Sequence, residues 1–214
     1  MYDSIKTYLD QHNTQLIAVS KNRTLNEILE LYHKGQRAFG ENKVQEFLAK
    51  RSQLPPDIEW HLIGHLQSNK VKQIIPFVTM IQSVDSEDLL NTINKYSIKY
   101  NVVTKVLLQV HIASEETKFG LSDEELFSLI DHVSVHPLSN IQICGLMGMA
   151  TNTHDMTVVH NEFKHLHGLF AEIREKCSFL QPHFQHLSMG MSSDYKEAIE
   201  RGANMVRIGS ALFQ

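Results

Sequence analysis

An eightfold alternation of short apolar runs with amphipathic stretches constrains this chain more than any other feature. The runs cover residues 16–20, 37–40, 59–64, 80–84, 105–112, 141–145, 186–189 and 205–209. Each has strand length, and the 105–112 run is the strongest. The segments between them read as helices. Leu25, Ile28, Leu29, Leu31 and Tyr32 recur at helical spacing before a stop at Gly35. Val44, Phe47 and Leu48 share one side of a helix over 42–54, stopped by Pro55 and Pro56. A short helix over 70–75 ends at Pro76, and Asp85 or Ser86 caps one from Glu87 to Tyr100. A capping box, Ser122 to Glu125, opens the next. The longest helix covers 155–176, and a last one covers 194–201 with Gly202 as its stop.

Strict alternation of this kind implies parallel strands joined by right-handed crossovers. Eight units fit a single closed (β/α)8 barrel of the TIM type, for which 214 residues is short. A doubly wound open sheet is the rival, and the count of eight favours the barrel. With 5 prolines and no Gly/Ser tract, nothing reads as a linker, so one domain is expected over 1–214.

Composition narrows the function classes. The chain has 20 Lys and Arg against 24 Asp and Glu, a net charge of −4, and the cations are scattered. That argues against a nucleic-acid partner. No apolar window is long enough to span a membrane, and the polar start resembles no targeting peptide. Two cysteines, Cys144 and Cys177, cannot build a disulfide framework, so the chain reads as cytoplasmic.

A barrel of this kind carries its chemistry at the C-terminal ends of its strands. Lys21 directly follows the first run. A desolvated lysine there can act as a nucleophile toward an aldehyde, and a solvated loop lysine is the alternative. The turn at Gly209 and Ser210 after the eighth run, entering a short helix, offers N–H groups and a hydroxyl to a phosphate. The glycine-containing loop from Ser188 through Met189 to Ser192 after the seventh is a second such element. Asn42 either faces a ligand or caps a helix. Arg207 faces a phosphate or ring, or pairs with an acid. The 13 histidines do not make a metal centre: His61 and His65 do not converge, and no His-Glu-x-x-His or Cys-x-x-Cys pattern occurs.

The ordered set Ala18-Val-Ser-Lys21, Phe39-Gly-Glu-Asn42 with Val44-Gln-Glu46, Trp60-His-Leu-Ile-Gly64 with Leu66-Gln-Ser-Asn-Lys70, Gly145-Leu-Met147, Leu187-Ser-Met-Gly-Met-Ser192 and Val206-Arg-Ile-Gly-Ser210 resembles the pyridoxal-phosphate homeostasis protein family, also described as YggS-like or PROSC-like. The resemblance runs from Leu16 to Phe213. It implies the alanine-racemase-type barrel, fold type III of pyridoxal-phosphate proteins. It implies pyridoxal 5′-phosphate held on Lys21 as an internal aldimine, with Ser188, Arg207, Gly209 and Ser210 around the phosphate. Asn42 would sit beside the cofactor, Met189 in the seventh-strand loop, and Met147 and His61 in the pocket wall. Two departures stand out: His65 occupies a position where members usually carry proline, and the chain stops at Phe213-Gln214, leaving a minimal last helix.

The resemblance also implies a role in vitamin B6 homeostasis without established catalysis. Alanine racemases add a β-domain that brings a tyrosine to the opposite face of the cofactor, and this chain has no room for one. The expectation is therefore a monomer that holds and transfers pyridoxal phosphate, with apoenzymes as possible recipients. A pyridoxal-phosphate-dependent amino-acid racemase is the alternative function. A barrel for some other phosphorylated ligand, with Lys21 merely charged, is the third.

Overall fold

The computed structural model describes residues 1–115 and 119–213. Helix α1 (Tyr2–Gln11) precedes eight strands that alternate with seven further helices. The strands are β1 (Gln15–Val19), β2 (Ala38–Glu41), β3 (Glu59–Leu62), β4 (Met80–Val84), β5 (Thr104–Val110), β6 (Ile141–Gly148), β7 (His186–Ser188) and β8 (Met205–Ile208). Every pairing is parallel, and β8 returns to pair with β1, so the sheet closes into the expected barrel. The connecting helices are α2 (Leu25–His33), α3 (Val44–Arg51), α4 (Val71–Ile74), α5 (Glu87–Tyr100), α6 (Asp123–Val135), α7 (Met156–Lys176) and α8 (Tyr195–Glu200).

Local chemistry sets their ends. Thr24 and Glu27 form a capping box that starts α2, and Ser122 and Glu125 form the one foreseen for α6. Ser86 rather than Asp85 caps α5, its side chain accepting from the Leu89 N–H. After β8 the chain differs from expectation. Residues 210–212 form a turn, closed by the Leu212 N–H on the Gly209 carbonyl at 2.9 Å, and not a helix. Gln214 lies outside the described residues.

Alternation along the strands separates two apolar layers. Ile17, Ala38, Met80, Leu107, Cys144, Met147 and Met205 fill the barrel lumen. Leu16, Phe39, Trp60, Ile81, Leu108 and Val206 face the helices. Trp60 meets Phe47 of α3 edge to face, with centroids 5.7 Å apart, which seats α3 on β3. The alternation slips twice, once in β4 between Ile81 and Val84 and once in β6. Between Val106 and Leu107 of β5, β6 carries one extra residue, Cys144. Gly145 takes φ 149 there, and a Cβ on it would overlap the His186 carbonyl oxygen. The slip in β6 leaves both Cys144 and Met147 in the lumen.

Candidate functional site

The lumen is packed toward its N-terminal end and opens at the other. Ile17 and Val19 point inward along β1, and Lys21 continues that face just beyond the strand. Lys21 is exposed, not desolvated as a nucleophile at this position would suggest. It lines a cavity of about 670 Å³ together with Val19, Arg23, Ser192, Arg207, Gly209 and Ser210, among others.

One wall of this cavity is backbone. Gly190, with φ 94, turns the chain after β7, and a Cβ there would press on Ala198 of α8. The Met191 N–H donates to Asp194 Oδ1 at 2.6 Å, which folds the loop back. The Gly209 N–H donates to Ser192 Oγ at 3.3 Å, tying this loop to the turn after β8. Among the described residues, the N–H groups of Ser192, Ser193, Ser210 and Ala211 have no protein acceptor. Converging N–H donors of this kind suit an anion. Among the described residues, three cations, Lys21, Arg23 and Arg207, line the same space, and no carboxylate does. Arg23 is held by Glu27 at 3.1 Å and lies 4.8 Å over the Phe213 ring.

Beneath the cavity a chain of buried polar groups crosses the lumen. Arg207 Nη1 donates to Ser188 Oγ at 2.6 Å, and Nη2 donates to the Gly148 carbonyl at 2.8 Å. Guanidinium only donates, so Ser188 must pass its own proton on, and it does, to Gln82 Oε1 at 2.7 Å. That orients the Gln82 amide, whose Nε2 donates to His61 Nδ1 at 2.9 Å. His61 is thereby the Nε2–H tautomer. Burial holds its pKa down at about 3, assisted by the charges of His186 and Lys105. Burial also lowers Arg207 to about 10, with Asp194 opposing the shift, so the guanidinium stays charged at neutral pH.

Of the residues expected at the site, Lys21, Arg207, Gly209 and Ser210 line one cavity. Ser188 and His61 lie fully within the lumen beneath it, joined through Gln82. Met147 packs in the lumen core, in register with Ser188 of the next strand. Met189 does not face the lumen: Ser188 points inward, so alternation turns Met189 into the layer beneath the helices. Asn42 follows the inward-facing Gly40, and its Oδ1 is buried with no hydrogen-bond partner among the described residues. His65 takes no part in this chain of groups, pairing instead with Asp85 at 2.9 Å and stacking on Phe119. No cluster of three metal-ligating side chains occurs among the described residues.

Sequence reasoning names Ser192 only as the end of its loop, and it misses Arg23, Ser193 and Gln82 as site residues. Ser192 closes the motif after the seventh run, and Gln82 is a polar residue inside an apolar run, so both carry a readable signal. Arg23 carries none beyond its closeness to Lys21.

Fold and cavity together define a (β/α)8 barrel with a lysine and an anion-ready turn at its mouth. The family model described as "Alanine racemase, N-terminal domain" matches residues 2–214. A pyridoxal phosphate homeostasis protein of Aquifex aeolicus is 40% identical over 200 residues, covering 93% of this chain and 86% of that protein. The human protein of that name is 36% identical over 209 residues, covering 93% of this chain and 75% of its own. Among solved structures, PipY of Synechococcus elongatus without PLP superposes with a TM-score of 0.92 at 35% identity, covering 100% of this chain and 99% of its own. The same protein with PLP bound superposes at 0.89 and 34% identity, with the same coverage. An alanine racemase of Clostridium difficile, 14% identical with a TM-score of 0.75, shares the fold over 99% of this chain and 55% of its own. The chain belongs to the pyridoxal phosphate homeostasis protein family, within the group defined by the alanine racemase N-terminal domain.

Proposed function

We propose that this chain binds pyridoxal 5′-phosphate on Lys21 and holds it for intracellular vitamin B6 homeostasis, without turning over a substrate. One observation carries the reading: the Lys21 amine and the unpaired N–H groups at Ser210 and Ser192 border the same cavity. Its volume of about 670 Å³ is in the range that holds small cofactors. The residues fit the group. The turn and loop donors match a phosphate dianion, Arg207 adds positive charge below, and the orphaned Asn42 Oδ1 is an acceptor that a hydroxylated ring can satisfy.

When bound, the group would supply an aldehyde able to condense with a primary amine, and Lys21 is the amine that lines the cavity. The protein's own part is positional. Ser192 and the Gly209–Ala211 turn hold the phosphate end. Ser188 and Gln82 keep Arg207 aimed upward. The exposed position of Lys21 admits water and competing amines, which suits reversible loading.

The carrier role is supported by the cavity lining. Among the described residues lining the cavity, Lys21 is joined by two arginines and by no carboxylate, imidazole, phenol or thiol. A stereochemical inversion needs an acid and a base on opposite faces. The same reading takes the protein as a monomer serving apoenzymes in the cytoplasm, the last supported by its two free cysteines.

The test is an absorption spectrum with pyridoxal phosphate before and after borohydride, followed by peptide mapping, on wild type and Lys21→Ala. A visible band removed by borohydride, with a pyridoxyl adduct on Lys21, is expected. No band, or a normal band in Lys21→Ala, overturns the assignment. Turnover of alanine or serine by the loaded protein overturns the carrier role.

A further inference from the structure

We infer that Glu41, Lys50 and Glu46 form a positioning device that clamps the backbone on both sides of Lys21 and so governs how well its amine meets an aldehyde held in the cavity. The inference rests on the reading of Lys21 as the covalent anchor.

The clamp lies outside the barrel wall. Glu41 alternates with the inward-facing Gly40, so its side chain points away from the lumen toward α3, where Glu46 and Lys50 are one helical turn apart. Lys50 Nζ donates to the Ser20 carbonyl at 2.7 Å, the peptide that leads into Lys21. It also donates to Glu41 Oε1 at 2.6 Å and to Glu46 Oε2 at 3.3 Å. Ser20 Oγ donates to the same Glu41 oxygen at 2.7 Å. On the other side of Lys21, the Asn22 N–H donates to Glu46 Oε2 at 3.2 Å. Asn22 itself is in the left-handed region, with φ 59, so the chain turns sharply straight after the lysine.

Three polar groups beside the lysine are therefore tied to two carboxylates and one ammonium, while the Ser20 carbonyl also accepts from the Arg23 N–H at 3.0 Å and Ser20 Oγ also reaches the Gly40 carbonyl at 3.3 Å. The site is costly. Glu41 is fully buried, Lys50 keeps about a tenth of its side chain exposed, and Glu41 Oε2 has no partner. Burying charge in this way is weak support for stability alone. None of the three side chains lines the cavity. Their shared target is the two peptides next to Lys21, which is what a positioning role requires.

The experiment compares binding of pyridoxal phosphate with binding of pyridoxine 5′-phosphate, which has an alcohol in place of the aldehyde and cannot react with an amine. Both are titrated into the full chain as wild type, Lys50→Met, the double variant Glu41→Met/Lys50→Met, and Glu46→Ala. A device acting through Lys21 weakens pyridoxal phosphate by about tenfold or more in Lys50→Met while leaving pyridoxine phosphate within roughly twofold. The double variant removes the unpaired buried charge, so it regains thermal stability but not pyridoxal phosphate affinity. Glu46→Ala sits on a partly exposed helix face and carries the test if Lys50→Met does not fold, with a loss of about threefold confined to the aldehyde ligand. Equal losses for both ligands, no loss for either, or recovery of affinity along with stability in the double variant would each overturn the inference. Failure of the underlying reading has its own signature: Lys21→Ala then binds both ligands as wild type does, and the inference falls with it.

Discussion

Two buried polar arrays flank the cavity, one inside the barrel wall and one outside, and they are built on different principles. The inner array, Arg207–Ser188–Gln82–His61, contains one charge and runs in one direction, each donor dictating the role of the next group. The outer array, Glu41–Lys50–Glu46 with Ser20, contains three charges converging on backbone. The inner one is nearly saturated with hydrogen bonds. The outer one leaves Glu41 Oε2 unpartnered, and desolvation raises the Glu41 pKa despite the nearby ammonium. The difference teaches that a group facing the ligand and a group facing the chain need different support. A ligand-facing cation must be held firmly yet keep its charge for an incoming anion. A backbone clamp can consume its charges internally.

Four experiments would break or sharpen that contrast. The largest effect belongs to the outer array. Lys50→Met strands the Glu41 carboxylate, and a loss of about 3–5 kcal/mol is expected in denaturant melts, most of it restored in Glu41→Met/Lys50→Met. A loss below about 1 kcal/mol would mean the outer array is effectively solvated and the contrast is wrong.

In the inner array, Arg207→Met leaves Ser188 Oγ and the Gly148 carbonyl short of donors, for an expected cost of roughly 1–3 kcal/mol. Pyridoxal phosphate affinity should fall alongside, with pyridoxine phosphate weakened equally, in contrast to Lys50→Met. A split between the two ligands would assign Arg207 to the amine end of the cavity.

The third effect is a pH dependence. In the fold His61 stays neutral down to about pH 3, whereas an unperturbed imidazole protonates near 6.5. Between those values the unfolded chain binds the extra proton, so stability falls as pH drops from 6.5 toward 3, by up to about 1.4 kcal/mol per pH unit. His61→Asn keeps an acceptor for the Gln82 amide and should flatten that limb. An unchanged slope would place the acid sensitivity in other groups, His186 first, since burial lowers it too.

The smallest is Ser192→Ala. It removes the acceptor of the Gly209 N–H and should cost about 1 kcal/mol of stability, with a severalfold loss for both phosphorylated ligands. A loss for pyridoxal phosphate alone would show that the loop acts on the amine and not on the phosphate end.

Much of the site is legible in the order of residues. Lys21 stands out because it directly follows an apolar run, and strand alternation then places it on the face of Ile17 and Val19. Gly209 and Ser210 stand out because glycine before a hydroxyl at a strand end is a recognisable anion cradle. The Ser122 capping box is readable because its chemistry is complete within four residues. The misses have equally physical causes. Position in a motif puts Met189 near the ligand, but one residue of strand alternation sends it to the opposite side. The Gly-Ser step predicts a helix after β8, where the described residues form only a turn.

The order of residues determined the eight strand–helix units, their parallel sense and the ends at which chemistry collects, because hydrophobic periodicity and capping act over a few residues. Tertiary structure decided what joins across the barrel. Pairing of β7 with β8 sets Arg207 beside Ser188, and the closed barrel carries that pair across the lumen to Gln82 and His61, contacts that no local pattern encodes. The slip at Gly145, set by the approach of the His186 carbonyl, puts Met147 into the lumen. The clamp behind Lys21 likewise depends on α3 packing against β2, since only that contact carries the Lys50 ammonium to the peptide before the lysine.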